Sequence, residues 1–407
     1  MPQTARTPLP GTGQSDVVRK RSSRKDEILA VGARLFYERG YVNATLKDVA
    51  GALGMSAPAI YRHFSGKQDL LRAVLLSSSQ RFADAVASEA GQTHDLDSIL
   101  HRLAEASVTL SQFWEVRERD ARHLRREDRD EISRRMHVVS RAVRTELGAL
   151  RPELSPDQSA VLTRAVLAVF TMPSAYGSRA QPDDLPAMLA RIARRIVDTP
   201  ASRLEPRVLI EVPTSVGSAA LSKRERVLHE ATRLFGEHGY ESVSMEDLGQ
   251  AVGMSAASLY HYYSGKAEIF TSIFRRGLEW LAIDRAHHPP DDASITARMR
   301  AFLESYTRLA LTWHDVFVLF VRERAALVRI EEGSIVRSYR DYFNNGLVLL
   351  REARPDLSAR EARGLLACVV SVINDLAITP QEPTQGPDPR MTGTVLTDIA
   401  FDLLDVV

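Results

Sequence analysis

The chain contains one stretch of sequence twice. Residues 28–71 read ILAVGARLFYERGYVNATLKDVAGALGMSAPAIYRHFSGKQDLL, and residues 227–270 read VLHEATRLFGEHGYESVSMEDLGQAVGMSAASLYHYYSGKAEIF. The two stretches align without a gap at an offset of 199, and 17 of the 44 aligned positions are identical. An ungapped match of this length indicates an internal duplication.

The likeness extends beyond these stretches. Trp114 and Trp313 share the same offset, and residues 151–155 (RPELS) resemble residues 354–358 (RPDLS). The duplicated unit is therefore about half of the 407-residue chain. Residues 199–217 contain three prolines, a composition that is typical of a linker between units.

The composition indicates a globular helical protein. Apolar residues recur at helical spacing in both units, and no stretch sustains the alternation expected of a strand. No apolar run approaches the roughly 20 residues that span a bilayer, and the N-terminus lacks the apolar core of a signal peptide. The single cysteine, Cys368, lies in an apolar stretch and is expected to be a core residue. A chain that cannot form an internal disulfide fits a reducing cytoplasm.

Local signals in residues 45–67 predict two short helices joined by a turn. Thr45 and Asp48 form a capping pattern that starts one helix, and Gly54 suits a turn with positive φ. Ser56 caps a second helix, and Pro58 fits its first turn. This is the arrangement of a DNA-reading helix-turn-helix, whose second helix enters the major groove. The second copy repeats the signals at Ser244, Asp247, Gly253 and Ser255.

The two copies differ in charge. Residues 1–71 contain eleven Lys and Arg against six Asp and Glu, whereas residues 217–270 contain five against seven. The basic segment suits a polyanionic partner such as DNA, and the second segment does not. Two solvated helical surfaces that differ in charge are the alternative interpretation.

Both segments resemble the tetracycline-repressor (TetR) family of helix-turn-helix regulators. In the first copy the matching residues are Leu35, Phe36, Gly40, Tyr41, Thr45, Gly54, Ser56, Tyr61, His63, Phe64 and Lys67. In the second they are Leu234, Phe235, Gly239, Tyr240, Ser244, Gly253, Ser255, Tyr260, Tyr262, Tyr263 and Lys266. The resemblance covers about 45–60 residues of each unit. It implies an all-α protein of two tandem units, each with a three-helix head followed by a helical ligand and dimerisation domain.

The expected domains follow from this resemblance and from the repeat. They are a disordered basic arm at 1–23, a first head at 24–84 with its helix-turn-helix at 45–64, and a regulatory domain at 85–198. A linker at 199–222 leads to a second head at 223–283, with its helix-turn-helix at 244–263, and to a second regulatory domain at 284–407. The basic residues Arg19, Lys20, Arg21, Arg24 and Lys25 are expected before the first helix, where they either reach DNA or form a solvated tail.

The resemblance also implies roles for single residues. Phosphate contacts are expected from Thr45, Tyr61, His63 and Lys67, and base reading from Lys47, Ser56, Ala57, Pro58, Ala59 and Arg62. The corresponding DNA-binding positions of the second copy are Ser244, Ser255, Ala256, Ala257, Ser258, Tyr260, His261, Tyr262 and Lys266. Helix packing for Tyr61 and helix capping for His63 remain the alternatives.

The second copy departs from the first at three positions that are expected to contact DNA. Glu246 stands in place of Lys47, His261 in place of Arg62, and Tyr262 in place of His63. DNA reading by unit two is therefore less well supported than DNA reading by unit one. A degenerate copy kept for packing or ligand sensing is the alternative.

The remainder of each unit is expected to receive a small molecule and to mediate pairing. Candidate lining residues of an apolar pocket are Phe113, Trp114, Phe170, Trp313, Phe317 and Phe320, with plain core packing as the alternative. The charged run from Arg117 to Arg135 is expected to be a solvated helix surface, with an anionic-ligand surface as the alternative.

The function that these patterns predict is sequence-specific binding of double-stranded DNA by a transcriptional regulator. It is expected to be a repressor released by an unknown small-molecule effector, for which a hydrophobic molecule is one candidate. The two units are expected to pair within one chain as a pseudo-dimer, and a homodimer of whole chains is the alternative. Neither a cofactor, a metal nor a membrane partner is expected, and the sequence contains no spaced nucleophile and base or nucleotide-binding loop that would indicate an enzyme.

Overall fold

The computed structural model describes residues 24–87, 95–175, 182, 184–205, 222–330, 333–378 and 389–404. Within these residues the regular secondary structure consists of α-helices and short 3₁₀ turns, which confirms the predicted all-α class. The predicted arm at 1–23 and residues 206–221 of the predicted linker lie outside the described residues.

Unit one contains nine α-helices among its described residues. They are α1 (Arg24–Asn43), α2 (Leu46–Ala52), α3 (Ala57–Tyr61), α4 (Lys67–Val86), α5 (Leu96–Thr109), α6 (Phe113–Asp120), α7 (Arg126–Leu150), α8 (Pro156–Val169) and α9 (Leu185–Val197). A 3₁₀ turn at Ala121–His123 joins α6 to α7. Arg24 and Lys25 form the first turn of α1, so the prediction that they precede the helix is wrong.

Unit two repeats this order in the described part of its chain. Its helices are α10 (Lys223–His238), α11 (Met245–Val252), α12 (Ala256–Leu259), α13 (Lys266–His287), α14 (Ile295–Thr312), α15 (His314–Ile330), α16 (Ser334–Ala353), α17 (Ala359–Ile378) and α18 (Pro389–Leu404). In each unit the first three helices and the start of the fourth form the head. The remaining helices lie in the ranges for which the sequence predicts the regulatory domains.

Each head is held together by an apolar core that the repeat preserves. In head one, Ile28, Phe36 and Ile60 are no more than 1% exposed, and in head two their counterparts Val227 and Phe235 are equally buried. Removing such a side chain from water contributes about 1.5–3 kcal/mol each. The two heads therefore share one packing scheme, which fixes the direction of their short second and third helices.

The two units pack against each other through the last two long helices of each. Helices α8 and α9 lie against α17 and α18. A Cβ atom at Gly364 of α17 would lie 2.8 Å from Cε of Met188 in α9, so the glycine permits close approach of the two helices. Arg164 of α8 donates hydrogen bonds of 3.4 and 3.3 Å to the carbonyl oxygens of Asp375 and Leu376. Cys368 is fully buried in this region, as expected of a core residue.

Two further expectations concern membranes and metals. None of the helices in the described ranges is long and apolar enough to cross a membrane. Among the same residues, no group of three or more His, Cys, Asp or Glu side chains is arranged to hold a metal ion.

Candidate nucleic-acid interface

The helix-turn-helix of head one has the geometry that its sequence predicts. The Thr45 hydroxyl accepts a hydrogen bond of 3.1 Å from the Asp48 amide, and the Asp48 carboxylate accepts one of 2.9 Å from the Thr45 amide. The hydrogen bonds that the Thr45 hydroxyl and then the Thr45 amide donate to the Asp48 carboxylate lower the pKa of Asp48 below its ordinary value. Gly54 has φ 61°, and Ser56 occupies the N-cap position of α3 with Pro58 in the first turn, but the Ser56 side chain makes no capping hydrogen bond. The start of α2 and the turn are therefore fixed by local chemistry, whereas α3 begins where predicted without the expected side-chain cap.

The surface of α3 offers polar and aromatic side chains to solvent. Tyr61 is 58% exposed, which is unusual for a large apolar side chain in a packed head. Lys47, Ser56, Pro58, Arg62 and His63 are exposed as well, whereas Ala57 and Ala59 are half-buried. Ile60 and Phe64 face the core. The residues expected to read bases thus lie on the accessible side of α2 and α3.

Thr45 is exposed, but both of its donors are already engaged. Its hydroxyl donates a hydrogen bond of 2.6 Å to the Asp48 carboxylate, which also accepts from the Thr45 amide. Ser244 and Asp247 form the same pair in head two. A phosphate would therefore have to compete with the carboxylate for these donors, and the pair's evident role is to cap the helix.

Lys67 and its counterpart Lys266 are tied to the ends of the first helices. The ammonium group of Lys67 donates a hydrogen bond of 3.0 Å to the carbonyl oxygen of Val42 and lies 4.4 Å from the centre of the Tyr41 ring. Lys266 repeats the arrangement, with 2.8 Å to the carbonyl oxygen of Tyr240 and 4.4 Å to its ring. Burial lowers the pKa of both lysines. Both are half-buried, and each fastens the fourth helix of its head to the first.

Head two keeps the backbone of head one with different side chains at its surface. Gly253 has φ 68°, and the Ser255 hydroxyl accepts a hydrogen bond of 3.1 Å from the Ser258 amide. Tyr260 is 56% exposed, close to the value for Tyr61. Glu246, Ala257 and His261 are exposed, whereas Ala256, Ser258 and Tyr262 are half-buried. Head two is thus an intact helix-turn-helix with an acidic residue where head one has Lys47.

A buried ionic junction between the two units was not predicted from the sequence. Arg119, expected on a solvated surface, is 6% exposed and donates to the carbonyl oxygens of Phe36 and Tyr37 at the end of α1. It also pairs with Asp120, which is 2% exposed, at 2.9 Å. The prediction of a solvated helix is therefore wrong for the end of α6, although it fits the exposed pairs of α7 such as Glu131 with Arg134.

The junction continues into unit two. Arg122 donates a hydrogen bond of 2.6 Å to Glu323, whose side chain is 3% exposed, and Arg322 lies 3.5 Å from Glu118. Helix α15 is kinked at Glu323, where φ is −109° and ψ is 15°. Burial raises the pKa of Glu323, and the neighbouring Arg122 opposes this rise. No periodic pattern marks these residues, because the partner of each lies about 200 positions away.

The six aromatic residues proposed for a ligand pocket are not gathered in one cavity. Phe113 and Trp114 pack with each other at 5.1 Å between ring centres, and Phe170 is 1% exposed in the core. Phe317 and Phe320 line a cavity of about 30 Å³ in unit two, which has room for about one water molecule. Trp313 is half-buried at the end of α14 and does not line it.

A larger groove lies elsewhere in unit two and was not predicted from the sequence. It has a volume of about 610 Å³ between α13, α14 and α16, within the range of ligand pockets in proteins. Its apolar lining includes Ala282, Ala286, Ala301, Phe302, Val348 and Leu349, and its basic lining is Arg285, His288 and Arg298. The corresponding helices of unit one are α4 and α7. They are joined by a hydrogen bond of 2.7 Å that Arg135 donates to the carbonyl oxygen of Leu76.

Comparison with known proteins identifies the family. The sequence profile described as "Bacterial regulatory proteins, tetR family" matches residues 28–74 and 227–273, the two heads. The repressor KstR2 of Mycobacterium tuberculosis is 29% identical over 147 residues, which are 33% of this chain and 74% of KstR2. The repressor AcnR of Corynebacterium diphtheriae is 39% identical over 66 residues, 16% of this chain and 35% of AcnR.

Among solved structures, a tetR-family regulatory protein from Rhodococcus RHA1 is similar, with a TM-score of 0.38 and 20% identity. The matched region covers 43% of this chain and 96% of the Rhodococcus protein. Because the family profile matches both heads, the protein is a DNA-binding transcriptional regulator with a duplicated helix-turn-helix. The two heads are helix-turn-helix domains of the tetR family, present in tandem in one chain.

Proposed function

We propose that this chain is a cytoplasmic repressor of transcription in which the two units of one molecule take the place of the two subunits of a dimer. The observation that carries the proposal is the packing of α8 and α9 against α17 and α18, with intact heads in both units. The family to which the resemblance points builds its dimer interface from the corresponding helices. Two heads about one helical turn of DNA apart, roughly 34 Å, would reach successive major grooves.

A repressing role is supported by the relatives, since KstR2 and AcnR are both named as repressors. A repressor acts by occupying its operator, so the first requirement is specific binding of DNA. The exposed Tyr61 and Tyr260 and the exposed basic side chains of head one supply the surface for it.

The test is a gel-shift with the full chain and the DNA upstream of its own gene, at moderate salt. We expect a specific complex that contains one chain per site, which sedimentation of the complex would show. A complex of two chains would support the homodimer of whole chains, with four heads, and contradict the pseudo-dimer. Absence of a specific complex would contradict the proposed function itself.

Each head is then inactivated separately. Tyr61→Ala and Tyr260→Ala remove one exposed aromatic side chain from the corresponding place in each head. We expect each change to weaken binding. An unchanged affinity for Tyr260→Ala alone would show that unit two is a packing or sensing module, and unchanged affinity for both would contradict DNA reading by the heads.

We further propose that a hydrophobic effector with an anionic end releases the DNA by binding in the groove between α13, α14 and α16. The groove combines an apolar lining around Phe302 with the basic side chains of Arg285 and Arg298. Long-chain acyl-CoA, a free fatty acid and a steroid acid are suitable probes. We expect one class to raise the melting temperature and to dissociate the gel-shift complex.

The matched variants are Arg285→Gln, in the groove, and Arg134→Gln, on the exposed surface of α7. The first should weaken the response to the active probe, because it removes a positive charge near the anionic end. The second should leave the response unchanged. Equal responses of both variants would place the effector elsewhere.

A further inference from the structure

The two heads have the same backbone but different side chains at several positions that are expected to contact DNA. Both heads have the capping pair at the start of the second helix, a glycine with positive φ in the turn, and an exposed tyrosine at the end of the third helix. The positions that differ are Lys47 and Glu246, Pro58 and Ala257, Ala59 and Ser258, Arg62 and His261, and His63 and Tyr262. The framework is thus conserved between heads while the reading surface is not.

The unlike residues favour unlike bases. Lys47 and Arg62 are donors, and lysine and arginine pair best with the O6 and N7 acceptors of guanine. Glu246 is an acceptor and pairs best with the N4 amino group of cytosine. A carboxylate placed against a base edge that offers no donor is desolvated and unpaired, so it discriminates against such sites. Its repulsion by the phosphates lowers affinity for all sequences alike.

A dimer of identical subunits imposes its two-fold symmetry on its operator, which is then a palindrome. A single chain with two unlike heads is not bound by this constraint. We propose that this protein binds an operator built from two different half-sites in inverted orientation, one read by each head, so that the operator is not palindromic. The inference rests on the proposed function, since it requires that both heads of one chain contact DNA together.

The junction between the units supports a fixed arrangement of the two half-sites. Arg119 bonds to the carbonyl oxygens at the end of α1 in head one. Three residues later, Arg122 lies against Gly239 at the end of α10 in head two and pairs with Glu323 at 2.6 Å. One short segment of unit one therefore contacts both heads. The spacing and the order of the half-sites should be equally fixed.

The experiment is selection of binding sites by the full chain from a library of random 30-base-pair duplexes, followed by sequencing. We expect one motif of two unlike half-sites that is not its own reverse complement. When each half-site is read outward from the centre along its own strand, one should prefer guanine where the other prefers cytosine. A palindromic motif would overturn the inference, as would a motif with a single half-site. Failure to enrich any sequence would instead count against the proposed function.

Two variants test the assignment of residues. The combined change Glu246→Lys, Ala257→Pro, Ser258→Ala, His261→Arg and Tyr262→His gives head two the reading surface of head one. The selected motif should then become a palindrome of the first half-site. Retention of the asymmetric motif would overturn the role of these positions, provided that circular dichroism shows an unchanged fold.

The single change Glu246→Gln tests one base position. We expect discrimination at the corresponding position of the second half-site to fall by about tenfold, because an amide accepts and donates equally well. Glu279→Gln, an exposed position on α13 outside the helix-turn-helix, removes the same charge as a control. If Glu246→Gln only raises affinity for all sequences alike, as expected for removal of a charge that the phosphates repel, Glu246 acts only through its charge and the inference is overturned for this residue.

Discussion

Arg122 of unit one and Glu323 of unit two form an ion pair of 2.6 Å across the junction between the units. Their side chains are 21% and 3% exposed, so the pair is largely removed from solvent. Glu323 occupies the kink of α15, and Arg122 follows directly on the end of α6. This contact joins the regulatory part of one unit to that of the other, close to both heads.

Removal of Arg122 should therefore destabilise the whole chain. Arg122→Met leaves Glu323 charged and buried without its closest partner, and breaking such a pair costs about 3–5 kcal/mol. We expect the free energy of unfolding in urea to fall by about this amount. Arg126→Met removes an exposed arginine that lies 3.9 Å from Asp130, and should cost less than about 1 kcal/mol.

The double variant Arg122→Met, Glu323→Leu separates the contribution of the ion pair to stability from the contribution of the packing around it. It replaces both charges by apolar groups, so it should regain much of the stability that the single variant loses. If the double variant is no more stable than Arg122→Met, the loss comes from packing of the arginine stem and the ion pair contributes little.

Gly239 is expected to tolerate a side chain less well than Gly253. Gly253 (φ 68°, ψ 35°) is left-handed helical, where alanine costs about 1–2 kcal/mol, whereas Gly239 (φ 84°, ψ 150°) lies in a region that essentially only glycine adopts. A Cβ at Gly239 would also lie within 2.5 Å of the Arg122 guanidinium carbon, whereas nothing lies within 4 Å of a Cβ at Gly253. Gly239→Ala should therefore cost about 1–3 kcal/mol more than Gly253→Ala in urea unfolding. Equal costs would show that neither the backbone conformation of Gly239 nor its contact with Arg122 disfavours a side chain there.

The helix-turn-helix could be predicted from the sequence because its signals are local. Capping by Thr45, the turn at Gly54 and the proline at position 58 each act within a few residues, and the repeat shows every signal twice. The core positions follow from helical spacing for the same reason. The structure confirms both the helix starts and the turn.

The junction could not be predicted, because charge spacing does not distinguish a buried charge from a solvated one. Arg119 and Arg134 both lie in the charged run, near acidic residues at spacings of three or four. Arg119 is buried because α1 and unit two cover it, and this depends on contacts between residues that are far apart in sequence. The groove lined by Phe302 escaped prediction for the same reason, since residues of α13, α14 and α16 that are far apart in sequence line it together.

The packing of the units should depend on pH through Asp375. Burial raises the pKa of Asp375 to about 6, and the nearby Arg164 of unit one opposes this rise. A carboxyl whose pKa is higher in the folded chain than in the unfolded chain binds its proton more tightly when folded. The contribution of the protonated Asp375 carboxyl to the free energy of unfolding is therefore complete below about pH 4 and is lost as the pH rises through 6.

Asp375→Asn should stabilise the protein relative to the original chain at pH 7.5 but not at pH 4. The gain in the free energy of unfolding at pH 7.5 has an upper bound of about 3 kcal/mol, because the pKa of Asp375 is raised by about two units. Urea unfolding of both proteins across this range measures the difference directly. A constant difference between the two proteins would show that Asp375 titrates normally. A difference of opposite sign at pH 7.5 would show that its pairing with Arg164 outweighs the effect of burial.

Tyr61 and Phe64 lie three residues apart in the sequence. Substitution of Tyr61 should lower affinity for DNA, whereas substitution of Phe64 should lower the stability of the fold. Tyr61 is 58% exposed, so Tyr61→Phe should leave the free energy of unfolding unchanged. Loss of a phenol hydrogen bond to a charged phosphate costs about 1.5–3 kcal/mol, so affinity for every DNA sequence should fall about tenfold or more. Phe64 is 2% exposed, so Phe64→Ala should lower the free energy of unfolding of the DNA-free protein by about 3–5 kcal/mol. Gel-shift titration and urea unfolding of the two variants separate these effects. A Tyr61→Phe chain with normal affinity would assign this tyrosine to the surface of the head rather than to the phosphate backbone.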